Sequence, residues 1–168
     1  VINSEYVTVA PEDRILQMAN ISFDTTAQEI WGTLLNGACL CIYPQKEFSS
    51  EDLGKFIVLE KITQALFTAR VFTLMVEEQL NALKGLHSVE SAGDVMSVHH
   101  ARIAFEALPT TRVVNGYGPT ENTVDTTAYI LSDLNEIETL VPIGRPISNT
   151  EVYILDKNLR PFPIGVRG

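Results

Sequence analysis

Hydrophobic and polar positions follow two alternating periods over most of the chain. After a turn at Pro11-Glu12-Asp13, the stretch Arg14 to Ala19 alternates loosely and predicts a strand. Thr26 with Glu29 three residues later is a capping-box pattern, and Ala27, Ile30, Trp31, Leu34 and Leu35 follow at helical spacing. A helix is therefore predicted from just after Asp24 to Asn36-Gly37, where glycine supplies the left-handed cap. Ala38 to Tyr43 reads as an apolar strand ended by Pro44, and Ser49-Ser50-Glu51-Asp52 opens a helix carrying Leu53, Phe56, Ile57 and Leu59. Ala65-Leu66-Phe67 is a short buried strand, followed by a helix through Val71, Phe72, Leu74, Met75 and Leu80. Val89 to Ala92 predicts a strand turning at Gly93, Met96 to Leu108 a helix, and Arg112 to Asn115 a strand. Strands alternating with helices of about a dozen residues imply parallel β-α-β units with right-handed crossovers. The expected fold is α/β, a doubly wound, mostly parallel sheet with flanking helices, of flavodoxin-like type.

After Asp125 the pattern changes. Thr126 to Ile130 reads as one more strand, and Leu140 to Thr150 as a loop punctuated by proline and glycine. Glu151 to Leu155 reads as half a hairpin turning at Asp156-Lys157-Asn158. Residues 1–130 are thus expected to form the α/β unit, and 131–168 a linker and the truncated start of a β-rich unit, a partial β-hairpin tail.

The 168 residues suffice for one domain burying roughly two-thirds of its unfolded surface. A formal charge of −9 and a pI near 4.7 argue against nucleic acid or an anionic membrane as a partner, because either calls for a basic face. No apolar run approaches the ~18 residues of a membrane span, the N-terminal residues do not show a charged-then-apolar leader pattern, and Val1 in place of Met leads us to expect a processed or excised piece of a longer chain. Cys39 and Cys41 are assigned to opposite faces of one strand and are not expected to pair, which favours a reducing cytoplasm. His99-His100 has no third ligand nearby in the sequence and is not expected to bind metal.

The chemistry concentrates in Val113-Val114-Asn115-Gly116-Tyr117-Gly118-Pro119-Thr120-Glu121-Asn122, a buried strand running into a glycine-rich loop. In open α/β sheets the crevice beyond the carboxyl ends of the strands is where ligands sit. An aromatic ring can stack on a base, a hydroxyl can donate to a phosphate oxygen, and a carboxylate can hold Mg²⁺. That set suits a nucleotide.

Asn115 to Glu121 resembles the adenine- and magnesium-binding motif of the adenylate-forming enzymes, in the form used by nonribosomal peptide synthetase adenylation domains. Phe23-Asp24-Thr25-Thr26-Ala27-Gln28-Glu29, followed by Leu34-Leu35-Asn36-Gly37-Ala38, resembles a second motif of that family at the expected distance upstream. The resemblance spans the chain but only about the middle of such a domain. It implies ATP and Mg²⁺ as cofactors, an amino acid as substrate, and a peptidyl carrier protein and the remainder of the adenylation domain as partners. By resemblance Tyr117 stacks on adenine, Asn115 meets its exocyclic amine, Thr120 meets the α-phosphate and Glu121 ligates Mg²⁺. Ala92-Gly93-Asp94 lends backbone to the nucleotide pocket, which places Gly93 and Asp94 in the nucleotide set. Asp24 pairs with the substrate α-amine, and Thr25, Gln28, Leu66, Glu90, Ala92, Gly116, Val124 and Asp125 surround its side chain.

Two acids and an amide in that pocket call for a guest rich in hydrogen-bond donors, so a basic amino acid such as arginine, lysine or ornithine is expected, with glutamine as runner-up. The lysine-containing phosphate loop, the ribose-binding aspartate and the small domain with the catalytic lysine are missing from the sequence, so the chain alone is expected to be inactive. Two alternatives stand: an acyl- or aryl-CoA ligase fragment, for which a buried Asp24 has no use, and a non-catalytic flavodoxin-like binding module.

Overall fold

The computed structural model describes residues 6–44, 48–163 and 165. Its elements run β1 (Arg14–Gln17), α1 (Thr25–Leu34), β2 (Cys39–Ile42), α2 (Ser50–Leu59), β3 (Gln64–Thr68), α3 (Ala69–Glu78), α4 (Leu80–Leu83), β4 (Ser88–Ala92), α5 (Val98–Ala107), β5 (Arg112–Tyr117), β6 (Thr127–Ile130) and β7 (Arg145–Pro146). The described strands form one sheet in the order β2-β1-β3-β4-β5-β6-β7. The first five are parallel, and β6 and β7 run antiparallel at one edge. The chain winds outward from β1 to β2 and then returns past β1 to β3, so the order reverses between β1 and β3. At such a switch point the connections leave in opposite directions and open a crevice above the strand ends.

The helices form where their ends are satisfied. Ser49 caps α2 by accepting from the Asp52 N–H at 3.2 Å, and Thr68 caps α3 by accepting from Val71. The predicted helix through Leu80 divides into α3 and α4. Leu16, Leu53, Ile57, Phe67, Phe72, Met75, Val89 and Val113 build the core between sheet and helices. Leu131, Ile137 and Val141 join the same core, and the Arg102 guanidinium ties α5 to that segment by donating to the carbonyls of Leu134 (3.1 Å) and Ile137 (2.9 Å). Among the described residues no helix is long and apolar enough to cross a membrane.

Four details differ from the sequence reading. The capping box does not form: Asp24 is the N-cap, accepting from the Thr25 N–H at 2.8 Å, while Thr26 donates to the Asn20 carbonyl. Glu29 is free to turn inward because it is not spent on the cap. The buried stripe of α1 is Thr26, Glu29, Gly32 and Thr33, whereas Trp31, Leu34 and Leu35 are more than half exposed. Cys39 and Cys41 share a face, as residues two apart on a strand must, with sulfurs 3.9 Å apart and both thiols free. The expected hairpin tail is reduced to a single bridge, Leu155 to Pro161, closed around Asp156, whose carboxylate accepts from the N–H groups of Asn158 and Arg160.

Candidate active site

A cleft of about 550 Å³ opens over the carboxyl ends of the parallel strands. The β1–α1 connection supplies Asn20, Phe23 and Asp24 to its wall and the start of α1 supplies Thr25; β3 supplies Leu66 and Thr68; the end of β4 and the turn after it supply Ala92 and Gly93. The loop after β5 closes it with Gly118, Pro119, Thr120 and Val124. Five of the nine predicted substrate residues, Asp24, Thr25, Leu66, Ala92 and Val124, therefore meet in one cleft. The other four, Gln28, Glu90, Gly116 and Asp125, cluster beneath it. Gln28, Glu90 and Leu66 line a small cavity of about 40 Å³, and Leu66 is a wall of both spaces.

The β1–α1 connection is held from below by Glu29. Its buried carboxylate accepts from the backbone N–H groups of Met18 (3.3 Å) and Ala19 (3.2 Å) and from the Gln17 amide (3.1 Å). Burial pushes this carboxyl above its ordinary value, and the three donors oppose the shift. The sequence pattern marks Glu29 only as a capping residue. Its position on the Asp24 helix was legible, but its inward turn was not.

The floor is strongly acidic. Glu90 and Asp125 are each 3% exposed, and Gly116 lies under both: a Cβ added there would sit 2.2 Å from Glu90 Oε1 and 3.0 Å from Asp125 Oδ1. Gln28 Nε2 donates to Glu90 Oε2 at 3.2 Å, and the Tyr6 hydroxyl donates to Asp125 Oδ2 at 2.8 Å. Glu90 Oε1, Asp125 Oδ1 and Gln28 Oε1 are buried with no hydrogen-bond partner among the described residues. Burial first, and then the charge of Asp125, pushes the Glu90 carboxyl well above the usual range. Burial also raises Asp125, while the hydrogen bond from Tyr6 holds it down. Tyr6 was missed in the sequence reading, and a lone tyrosine 119 residues from its partner gives no signal that could have found it.

The loop after β5 gets its shape from close approach and strain. A Cβ on Gly118 would sit 2.1 Å from the Val124 carbonyl oxygen, so the chain folds back over a position that only glycine fits. A 3₁₀ turn at Thr120–Asn122 follows, then Thr123 and Val124 at φ +63° and +69°. Left-handed angles at two β-branched residues store about 1–3 kcal/mol each, and such strain gathers at functional sites. The result aims Val124 at the cleft and Asp125 at the floor.

The predicted nucleotide set is spread more widely. Gly93, at φ +81°, borders the cleft. Asp94 is exposed and accepts from the Val95 N–H, and Asn115 is buried with its amide donating to the Pro142 carbonyl at 2.9 Å. The Tyr117 ring is half exposed beside them. Glu121 is exposed on the 3₁₀ turn, and no group of three His, Cys, Asp or Glu converges to hold a metal among the described residues. A single carboxylate fits Mg²⁺, which is commonly held by one or two carboxylates together with substrate phosphates.

A family model described as AMP-binding enzyme matches residues 1–168. A linear gramicidin synthase of Brevibacillus parabrevis is 48% identical over 166 residues, covering 99% of this chain and 2% of that protein. Tyrocidine synthase 3 of the same organism is 36% identical over 169 residues, covering 100% of this chain and 3% of that protein. A solved nonribosomal peptide synthetase protein containing adenylation and PCP domains, bound to a vinylsulfonamide inhibitor, superposes with a TM-score of 0.92 at 34% identity, covering 99% of this chain and 29% of that one. The Klebsiella oxytoca NpsA N-terminal subdomain in complex with 3-hydroxybenzoyl-AMSN gives 0.84 at 30% identity, covering 94% and 39%. The chain belongs to the AMP-binding enzyme family, as a fragment of a nonribosomal peptide synthetase adenylation domain. It spans only a few per cent of the length of these curated relatives.

Proposed function

We propose that this chain is the substrate-selecting part of a domain that activates an amino acid with ATP and passes it to a carrier-protein thiol. The amino-acid carboxylate attacks the α-phosphorus of ATP, the bond to the bridging oxygen breaks, and pyrophosphate leaves. The carboxylate is already a nucleophile, so the work is positioning and masking of phosphate charge, the latter being what Mg²⁺ supplies when bound. Thr120 donates to the α-phosphate, Glu121 contributes the metal carboxylate, Tyr117 and Asn115 take the adenine, and Gly93 and Asp94 lend the β4 loop to the nucleotide.

The observation that carries this reading is Asp24: a carboxylate on the cleft wall, fixed at the start of α1 by its own capping bond. An ammonium leaving water needs a fixed counter-ion, and a rigid Asp provides one for the substrate α-amine. The acidic floor supports a basic amino acid such as arginine, lysine or ornithine, with glutamine as runner-up. A CoA ligase for acids without an amine is the second reading, and Asp24 speaks against it. The free thiols of Cys39 and Cys41 support a reducing, cytoplasmic setting.

The test is amino-acid-dependent exchange of pyrophosphate into ATP by a complete adenylation domain carrying this chain, across arginine, lysine, ornithine, glutamine, leucine and phenylalanine. Exchange with at least one amino acid, abolished by Asp24→Ala, is expected. Exchange that survives Asp24→Ala, or none in a folded domain, overturns the reading. The 168-residue chain by itself is expected to give no exchange.

A further inference from the structure

The acid pair beneath the cleft is more specific than an acidic pocket. Its two carboxylates have unequal support: Asp125 takes a phenolic hydrogen bond at 2.8 Å, and Glu90 a longer amide bond at 3.2 Å. Among the described residues the groups acting on the pair are Tyr6 from the N-terminal segment, Asp24 at the N-cap of α1, Gln28 on α1, and the two acids themselves from β4 and the loop after β5; none of these is cationic. Where β5 passes beneath, Gly116 brings no side chain. A buried charge with no counter-ion is costly, and like charges this close do not both ionise. The hydrogen bonds decide which acid keeps the charge.

We propose that Tyr6 is a specificity-setting positioning residue: it fixes the single negative charge of the pair on Asp125, leaves Glu90 neutral, and makes the floor a socket for a monocationic side chain. The inference rests on the amino-acid activation proposed above and chooses between its substrates. With Glu90 neutral its O–H is a donor within the pair, and the other unpartnered atoms, Asp125 Oδ1 and Gln28 Oε1, are acceptors around a single negative charge. An ammonium or guanidinium brings donors only and satisfies them. The carboxamide of glutamine brings no positive charge to meet the Asp125 carboxylate and adds a carbonyl oxygen beside those acceptors, so the socket favours the cation over it.

The experiment uses the complete adenylation domain and follows pyrophosphate exchange with lysine, ornithine and arginine against norleucine, norvaline and glutamine, from acid to alkaline pH. The wild type is expected to prefer a basic amino acid over its neutral counterpart and over glutamine, and to lose that preference on the acid side as Asp125 takes up a proton. Tyr6→Phe is expected to raise KM for the basic amino acid about tenfold with kcat little changed, as loss of one hydrogen bond to a charged group predicts. It should also shift the loss of preference to higher pH, because Asp125 without the phenol protonates sooner. A merely structural Tyr6 moves neither the pH profile nor KM alone. Asp125→Asn is expected to cut the preference at least about tenfold more than Glu90→Gln, since an amide imitates a neutral carboxyl but not a charge. An unchanged pH profile in Tyr6→Phe, or equal losses in Asp125→Asn and Glu90→Gln, overturns the proposal. Exchange only with apolar amino acids overturns the socket and leaves amino-acid activation standing. No exchange with any amino acid in a folded domain overturns both.

Discussion

Single atoms set the geometry of the candidate site. The missing methyl group of Gly118 lets the loop after β5 cross its own return, and Gly118→Ala would press a Cβ against backbone at 2.1 Å and 2.7 Å. Backbone cannot swing aside as a side chain does, so a loss of about 2–3 kcal/mol is expected in urea unfolding of the complete domain. Gly85→Ala, with nothing within 4 Å of its Cβ, is the matched control and should be near neutral. Glu90 makes a second test. Its carboxyl is raised in the folded state, so the fold holds a proton that the unfolded chain releases at ordinary carboxylate pH. The stability this contributes is complete below the unfolded value and is lost as pH climbs toward the raised folded one. Urea midpoints should therefore fall from mildly acidic to neutral pH, and Glu90→Gln should flatten that slope. The motif residues of this site were legible because glycine, proline, tyrosine and acid in fixed order are rare together. Tyr6 was not, because its meaning is a contact across 119 residues that leaves no local pattern.

At the level of elements, α1 shows what periodicity conveys and what it omits. The helical period and both ends were readable, from Asp24 at the start to Gly37 at φ +74° just past the end. The phase was not. Ile30, Trp31, Leu34 and Leu35 offer the apolar stripe, yet the face on β1 and β2 is Thr26, Glu29, Gly32 and Thr33. Those side chains are buried because each polar one has a partner: Thr33 donates to the Glu29 carbonyl, and Glu29 collects donors from the end of β1. A hydrophobicity pattern has no means of scoring such partners. Replacing Glu29 with Leu would remove the carboxylate that accepts from the Met18 and Ala19 N–H groups and the Gln17 amide, and a loss of about 2–4 kcal/mol is expected in urea unfolding. Glu29→Gln keeps an acceptor and should cost clearly less. The antiparallel β7 escaped the sequence reading for a simpler reason: two residues ending in Pro146 carry no period at all.

For the whole molecule, Trp31, Leu34 and Leu35 of α1 leave large apolar side chains exposed, and Ile21 and Ile42 on either side of that helix in the chain do the same. Surfaces of this kind associate. The isolated chain is expected to sediment as concentration-dependent oligomers, and Trp31→Gln with Leu34→Lys and Leu35→Lys should return it toward monomer without loss of helical circular dichroism. The mostly parallel α/β class was readable from alternating periods, whereas the exposure of this surface depends on which face of α1 meets the sheet. The bond between Tyr6 and Asp125 has a practical meaning for recombination among relatives. Every pocket position named from motifs lies between Asp24 and Asp125, so that stretch looks like a self-contained cassette. An exchange beginning after Tyr6 would transplant both acids and leave behind the phenol that tells them apart, and a recipient with no tyrosine at that place would inherit the pocket's shape with its charge less firmly set.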